Sequence, residues 1–345
     1  MNAPERKERL QAETQPGRGF RHLVADHNLV LVRYQENALR ELYLTHPVGD
    51  HRYRVGLEVH DILMSSRFID VPVAVDAEIE RLAVYLKALI LAKLEYPLNE
   101  SSVTGALKKF DHIYVSVVPD KGMYLAQQNG YPAMDYRQLF EKVKSGMDWA
   151  QFVDISDLLT GSDYYRTDTH WRQERLPGVA RRLCTAMGAD FFDEAFLTEE
   201  TVTRPFYGVY YGQAALPMEP ETIRYLTNDE IEACTVYNYE NGKTTSVYDM
   251  EKLESRDLYD IYLSGAAALL RITNPNGDAN RELVVFRDSF GSSLIPLLLK
   301  DYGTVTVVDT RYIAADLLGQ FLQFDNQDVL FLYSTLILNS SNVLK

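Results

Sequence analysis

The sequence predicts an α/β protein built on a mainly parallel sheet covered on both faces, and three observations carry that prediction. The first is HIYVSVVPD (112–120), a β-branched run that Pro119 stops, as expected of a buried strand. The second is the alternation over the last eighty or so residues. ELVVF (282–286), TVTVVD (304–309) and DVLFLY (328–333) read as strands. SLIPLLLKDYG (293–303, closed by Gly303) and IAADLLGQFLQF (313–324) read as helices between them. The third is the changed texture from about 190 to 265, where tyrosines and turn residues multiply and apolar periodicity weakens. That stretch is expected to be an irregular or antiparallel β insertion.

The remaining elements follow in order. Residues 1–19 are expected to form a flexible tail, and 20–110 an N-terminal helical region. Within it, 23–44 and 75–98 place apolar residues at helical spacing, the second closed by Pro97. The α/β domain is expected over 111–345. It opens with the strand at 112–120 and continues with a helix over 134–147. A short strand and turn over 152–161 come next, then a helix over 175–188 ended by Gly188. Right-handed crossovers would bring the C-terminal ends of the parallel strands to one edge, where such sheets bind ligands.

Composition narrows the function. The 345 residues are 46% hydrophobic and 24% charged, ordinary for a globular protein of one large or two moderate domains. A formal charge of −14 repels polyanions, so nucleic acid and anionic lipid surfaces are not expected partners. Two cysteines, Cys184 and Cys234, make no disulfide framework and no zinc motif; two buried free thiols are expected. The first residues lack the apolar core of a signal peptide, and LAVYLKALILA (82–92) is too short to span a bilayer. The chain as written is therefore expected to be soluble, with its compartment and oligomeric state open.

Two segments hold chemistry. In DYYRTDTHW (163–171), Asp168 stands two residues before His170, with Trp171 behind it. Of the seven histidines, only His170 lies after residue 120. In VVFRDSFGSSL (284–294) a strand ends and Arg287 to Gly291 turn into a helix, which places Ser289 at the strand's C-terminal edge. Unpaired N–H groups around Phe290 and Gly291 would suit a developing oxyanion. In extended backbone, side chains at i and i+2 share a side. Asp168 can then orient His170 while the other ring nitrogen faces Ser289.

Simpler readings stand beside this one. Asp168 or Thr169 can cap the next helix, and Asp288 or Ser289 can do the same. A metal site would have one histidine and one carboxylate and would be short of ligands. Neither metal nor cofactor is expected. The Gly242–Thr244 tripeptide is no phosphate loop, because Tyr237 stands where the first glycine belongs.

YYRTDTHW resembles the signature of the DHHW protein family, which is related to the alginate O-acetyltransferase proteins of the SGNH-hydrolase superfamily. VSVVPDKGMY (115–124), FYGVYYGQAALPMEPETIRYL (206–226), RDLYDIYLSG (256–265), VVFRDSFGSSLIPLL and VTVVDTRY resemble further family blocks in the same order. The resemblance spans roughly 110–335 and implies a three-layer α/β/α SGNH-hydrolase-like fold. It implies Asp168, His170 and Ser289 as a catalytic triad, and it places Tyr165, Trp171, Lys121 and Arg311 on other motif positions. It departs at Thr169, where many members have a second His, and after Trp171, where RQERLPGVA replaces the usual helix start. No block supplies the glycine and asparagine oxyanion donors of SGNH esterases. The implied activity is O-acetyl esterase or O-acetyltransferase chemistry on a carbohydrate, in the cell envelope or outside the cell. The rival is an inactive glycan-binding or polysaccharide-assembly protein with the same fold.

Overall fold

The computed structural model describes residues 112–214, 218–322, 324, 326–340 and 344. The expected tail (1–19) and helical region (20–110) lie outside the described residues. The fold is mixed α/β on an eight-stranded, mostly parallel sheet. Its strands are β1 (Ile113–Val118), β2 (Gln151–Phe152), β5 (Thr235–Asn238), β6 (Thr244–Ser246), β7 (Leu269–Thr273), β8 (Asp278–Arg287), β9 (Tyr302–Val308) and β10 (Asp328–Ser334). The spatial order is β2-β1-β10-β8-β9-β7-β5-β6. From β2 to β9 every pairing is parallel; β7, β5 and β6 extend the far edge antiparallel.

The parallel strands are apolar on both faces because both faces are covered. In β1, Ile113, Val115 and Val117 enter one core cluster while Tyr114 and Val118 enter the other. β10 repeats this: Val329, Phe331 and Tyr333 lie on the first side, Leu330 and Leu332 on the second. On the first side packs α1 (Tyr136–Gly146), through Leu139, Phe140 and Val143. The Asp135 carboxylate starts it by accepting the Gln138 N–H at 2.9 Å. The opposite side carries α2 (Pro177–Ala186), with Val179, Ala180 and Leu183 buried. Proline in its first turn fits where no N–H is needed, and Gly188 at φ 62° ends it as expected.

The tyrosine-rich stretch is antiparallel, as its texture predicts. β3 (Thr198–Thr201) and β4 (Arg224–Thr227) form their own two-stranded sheet, while β5 and β6 join the main one through β7.

Two expected helices are not found at their expected length. After β8 there is one helical turn, Gly291–Leu294, and then a 3-10 segment, Ile295–Leu298. Every residue from Phe290 to Leu299 is buried, so no polar face exists to make this an amphipathic surface helix. Pro296 sits where the α-helix gives way. Gly303 is not a helix cap; it lies inside β9, where a Cβ would stand 2.6 Å from the Asp278 carbonyl oxygen. Among the described residues of 313–324, only Ala315–Leu318 is helical.

The order β10-β8-β9 makes β8 a switch point. The chain leaves β8 for a neighbour on one side and then crosses to β10 on the other. Ligand crevices of open α/β sheets form outside the C-terminal ends of the strands at such a point. Ser289 stands there.

Candidate active site

Ser289 follows β8 on a tight turn that Asp288 builds. Its carboxylate accepts the Phe290 N–H at 3.0 Å and, from the neighbouring strand end, the Ser334 N–H at 2.7 Å. Asp288 therefore builds the turn and ties it to β10, and neither it nor Ser289 is the expected helix cap, since Gly291–Leu294 begins without a side-chain cap. Gly291 is needed because Arg287 packs beneath the turn: a Cβ there would lie 2.7 Å from the Arg287 Cβ. Arg287 is fully buried and bonded to Asp309 at 3.2 Å and to the Gly265 carbonyl at 3.2 Å. Burial pushes its guanidinium below the ordinary range, partly offset by Asp309.

The structure brings Asp168, His170 and Ser289 into one hydrogen-bonded chain. His170 Nδ1 lies 2.6 Å from Asp168 Oδ1, and His170 Nε2 lies 2.8 Å from Ser289 Oγ. Both distances are within hydrogen-bond range. Exposure increases along the chain: Asp168 is 1% exposed, His170 8%, and Ser289 is half-buried. The acid is sealed and the alcohol is open.

Neither Asp168 nor Thr169 caps a helix: the next 3-10 turn, Gln173–Arg175, and α2 both begin without a side-chain cap. The Asp168 carboxylate instead accepts the His170 backbone N–H at 3.0 Å and the Val209 N–H at 2.9 Å. Burial works to raise its carboxyl, but these bonds and the His170 ring outweigh that and hold it below the usual carboxylate range.

The other motif residues support this loop in different ways. Lys121, just past β1, donates to the carbonyls of Tyr165 (2.5 Å) and Asp168 (2.6 Å) and lies 4.6 Å from the Tyr210 ring centre. Burial lowers its amine to about 8, with Asp168, Glu221 and Asp120 opposing the shift. Trp171 is fully buried, and its indole N–H reaches the Phe290 carbonyl (3.1 Å) and Ser293 Oγ (3.0 Å). That contact stitches the histidine segment to the serine turn. Tyr165 is buried edge-on against Phe206, and its hydroxyl has no hydrogen-bond partner. Arg311 is held by Asp309 at 2.6 Å, and its guanidinium lies over the Tyr312 ring. These contacts tie the residues to backbone and side chains of the protein itself.

The oxyanion expectation meets a specific obstacle. The Phe290 N–H is bound by the Asp288 carboxylate, and the Gly291 N–H by the Asp288 carbonyl at 3.1 Å. The turn consumes the donors it was expected to offer.

Three contributors were not singled out from the sequence. Glu221 accepts the N–H groups of Arg166 (2.9 Å) and Thr167 (2.6 Å), the Thr167 hydroxyl (2.8 Å) and Arg172 (3.0 Å), bracing the loop before Asp168. Gly208 lets the Phe206–Val209 strand of chain lie against Asp168. Tyr259 stacks on the His170 ring. All three fall inside the blocks at 206–226 and 256–265, so the signal was present as a resemblance without a role.

Among the described residues, no group of three or more His, Cys, Asp or Glu side chains could hold a metal ion. No helix among them is long and apolar enough to cross a membrane. Cys184 and Cys234 are free and buried, and burial raises both thiols to about 12.

The mostly parallel sheet covered on both faces has the SGNH-hydrolase-like α/β fold, with Asp168, His170 and Ser289 at the C-terminal edge of its strands. Residues 158–308 match the family model described as DHHW protein, so the family resemblance holds across that segment. Among solved structures, a DHHW family protein from Eubacterium siraeum DSM 15702 shares 20% identity at a TM-score of 0.54, covering 72% of this chain and 89% of its own. PatB1 from Bacillus cereus shares 16% at 0.55, covering 78% and 92%. A second PatB1 structure, with a sulfonyl adduct, shares 17% at 0.54, covering 71% and 87%. These likenesses show the fold. No curated protein matches the chain significantly in sequence.

Proposed function

We propose that this chain is a serine-dependent acyl-transfer enzyme acting on O-acyl groups of a carbohydrate. The observation that carries the reading is the unbroken hydrogen-bond chain from buried Asp168 through His170 to half-buried Ser289. In the proposal Ser289 Oγ attacks the ester carbonyl carbon while His170 Nε2 takes its proton, and Asp168 holds the resulting imidazolium. The tetrahedral intermediate expels the sugar oxygen, which receives that proton from Nε2, leaving an acyl-serine. Water as the second nucleophile completes an esterase cycle; a sugar hydroxyl completes an acetyl transfer. The carbohydrate substrate, and an envelope or extracellular setting, come from the family resemblance and are part of the proposal. So are a catalytic domain over 111–345 and a chain that functions without a metal or cofactor.

The test uses 4-nitrophenyl acetate and a sulfonyl fluoride. Ser289→Ala is expected to abolish turnover, and mass spectrometry is expected to find the sulfonyl group on Ser289 of the unmodified enzyme. Turnover unchanged in Ser289→Ala would reject the assignment.

One observation favours a second reading, a glycan-binding or polysaccharide-assembly protein that keeps the fold without turnover. The Phe290 and Gly291 N–H groups are already bound within the turn, which leaves oxyanion stabilisation without its expected donors. An unlabelled Ser289 together with measurable polysaccharide binding supports that alternative.

A further inference from the structure

We propose that Tyr259 is the positioning residue for His170, its ring face setting the imidazole plane and stabilising the imidazolium formed in the reaction. This inference rests on the acyl-transfer reading and deepens it by adding a residue to the same site.

The two ring centres lie 4.0 Å apart with the planes 11° from parallel. Tyr259 meets its other aromatic neighbours edge-on: Tyr165 at 87° and Tyr262 at 61°. Of the three aromatic partners of Tyr259 among the described residues, only the imidazole lies parallel to it, face against face. Phe290 approaches the imidazole at 4.9 Å and 54°, which limits its movement further. An imidazole bonded at both nitrogens can still swing about its ring axis, and a flat neighbour on its face removes that freedom. A π face also attracts a cation placed over it, so the contact strengthens when His170 takes the Ser289 proton. An interaction stronger in the charged state than in the resting state accelerates the chemical step.

Tyr259 is itself held. Its hydroxyl donates to Ser293 Oγ at 2.7 Å, the same oxygen that accepts the Trp171 indole N–H at 3.0 Å. Its backbone N–H is bound by the Asp257 carboxylate at 3.0 Å, which caps the 3-10 turn Leu258–Ile261. The ring is therefore anchored to the turn that carries Ser289 as well as to its own segment. The charged and titratable groups that bear on His170 are Asp168 from its own loop, Ser289 from the serine turn, and Asp257 and Asp260 from the Tyr259 turn. Three of these are carboxyls, and none of them fixes the ring plane from its face.

The experiment compares Tyr259→Phe, Tyr259→Leu and Tyr259→Met with the unmodified protein, using 4-nitrophenyl acetate turnover and proton NMR of the low-field Nδ1–H shared with Asp168. Circular dichroism confirms folding, and Met provides a more adaptable filler if Leu does not fold. Tyr259→Phe keeps the ring and is expected to retain most of kcat and the low-field proton. Tyr259→Leu or Met is expected to lose roughly tenfold in kcat with KM nearly unchanged, and to lose or broaden that proton. A Leu or Met variant with full kcat and an intact proton signal overturns the proposal. So does a Phe variant as impaired as Leu, because the hydroxyl network would then be the active part. If the unmodified protein turns over no ester but the proton follows the ring as stated, acyl transfer fails and the positioning stands.

Discussion

Gly208 lies so close to Asp168 that a Cβ on it would stand 2.2 Å from the Asp168 Cβ and 2.4 Å from the Thr167 carbonyl oxygen. No side-chain movement relieves that approach, because the facing atoms are backbone or backbone-proximal. The next N–H, from Val209, then reaches the carboxylate at 2.9 Å. Gly208→Ala is expected to push the Val209 N–H off Asp168 and to cost about 1–3 kcal/mol through overpacking. Ester turnover should fall further than stability does, since the acid loses both position and a hydrogen bond. Thermal melting and kcat/KM check this. An alanine variant with unchanged Tm and rate would show that the close approach has no consequence.

Lys121 gives a prediction with a definite sign in pH. Its amine falls from the usual 10.5 to about 8 because burial disfavours the charged form. Below about 8 both folded and unfolded chains hold the proton, and the folded state bears the desolvation cost. Between about 8 and 10.5 only the unfolded chain still holds it, so folding releases a proton and stability rises with pH. Relative to Lys121→Met, the unmodified protein should gain up to about 3 kcal/mol across that window. Denaturant unfolding of both proteins at pH 7, 9 and 10.5 measures the gain. A constant difference between the two proteins would contradict the burial of this amine.

The acid side has the opposite cause. Asp168 and Glu221 are both held below their ordinary values: burial would raise each, but bonds to the charged carboxylates prevail. A depressed acid contributes stability that is complete above its unfolded value, near 4, and is lost as pH falls through the folded one. Glu221→Gln removes one such contribution and leaves Arg172 short of its 3.0 Å partner. It is expected to cost about 1–3 kcal/mol at pH 7, and less at pH 3, below the ordinary carboxylate range, where this contribution is being lost. Urea unfolding at the two pH values tests this. Equal losses at both would mean the charge of Glu221 is irrelevant.

The strand framework was legible because it depends on local pattern. β1, β9, β10 and the second half of β8 are short, mainly apolar buried runs, and burial on both faces leaves that pattern intact. The helices after β8 and β9 were misread for a related reason. LIPLLL is apolar because it is buried all round, and periodicity cannot distinguish such a run from one side of a long helix. At the site, Asp168, His170 and Ser289 were visible because their spacing and strand-end location express a chemical requirement. Tyr259, Glu221 and Gly208 carried no comparable local signal. A stacking tyrosine, a backbone-bracing glutamate and a glycine at a close approach look like ordinary residues until the fold brings them 40 to 89 positions across the chain. The state of the oxyanion donors was not legible for a subtler reason, since sequence shows a turn's N–H groups but not that Asp288 already binds them.

That use of Asp288 sets up a decisive variant. Its carboxylate binds the Phe290 N–H on one side and the Ser334 N–H on the other, joining the serine turn to the end of β10. Removing it with Asp288→Ala has two opposed consequences. The Phe290 N–H is freed toward a developing oxyanion, which taken alone would speed acyl transfer. The turn also loses its tie to β10, and two buried N–H groups lose their partner, which costs about 1–3 kcal/mol for each group left unsatisfied. Geometry should prevail: a nucleophile moved by about an ångström loses on the order of a hundredfold in rate, more than one weakly placed donor returns. Asp288→Ala is therefore expected to lower both Tm and kcat for 4-nitrophenyl acetate, while Asp288→Asn, whose amide oxygen can still accept from one N–H, recovers part of each. A variant that loses stability yet hydrolyses the ester faster would show instead that Asp288 restrains the site by occupying its oxyanion donor.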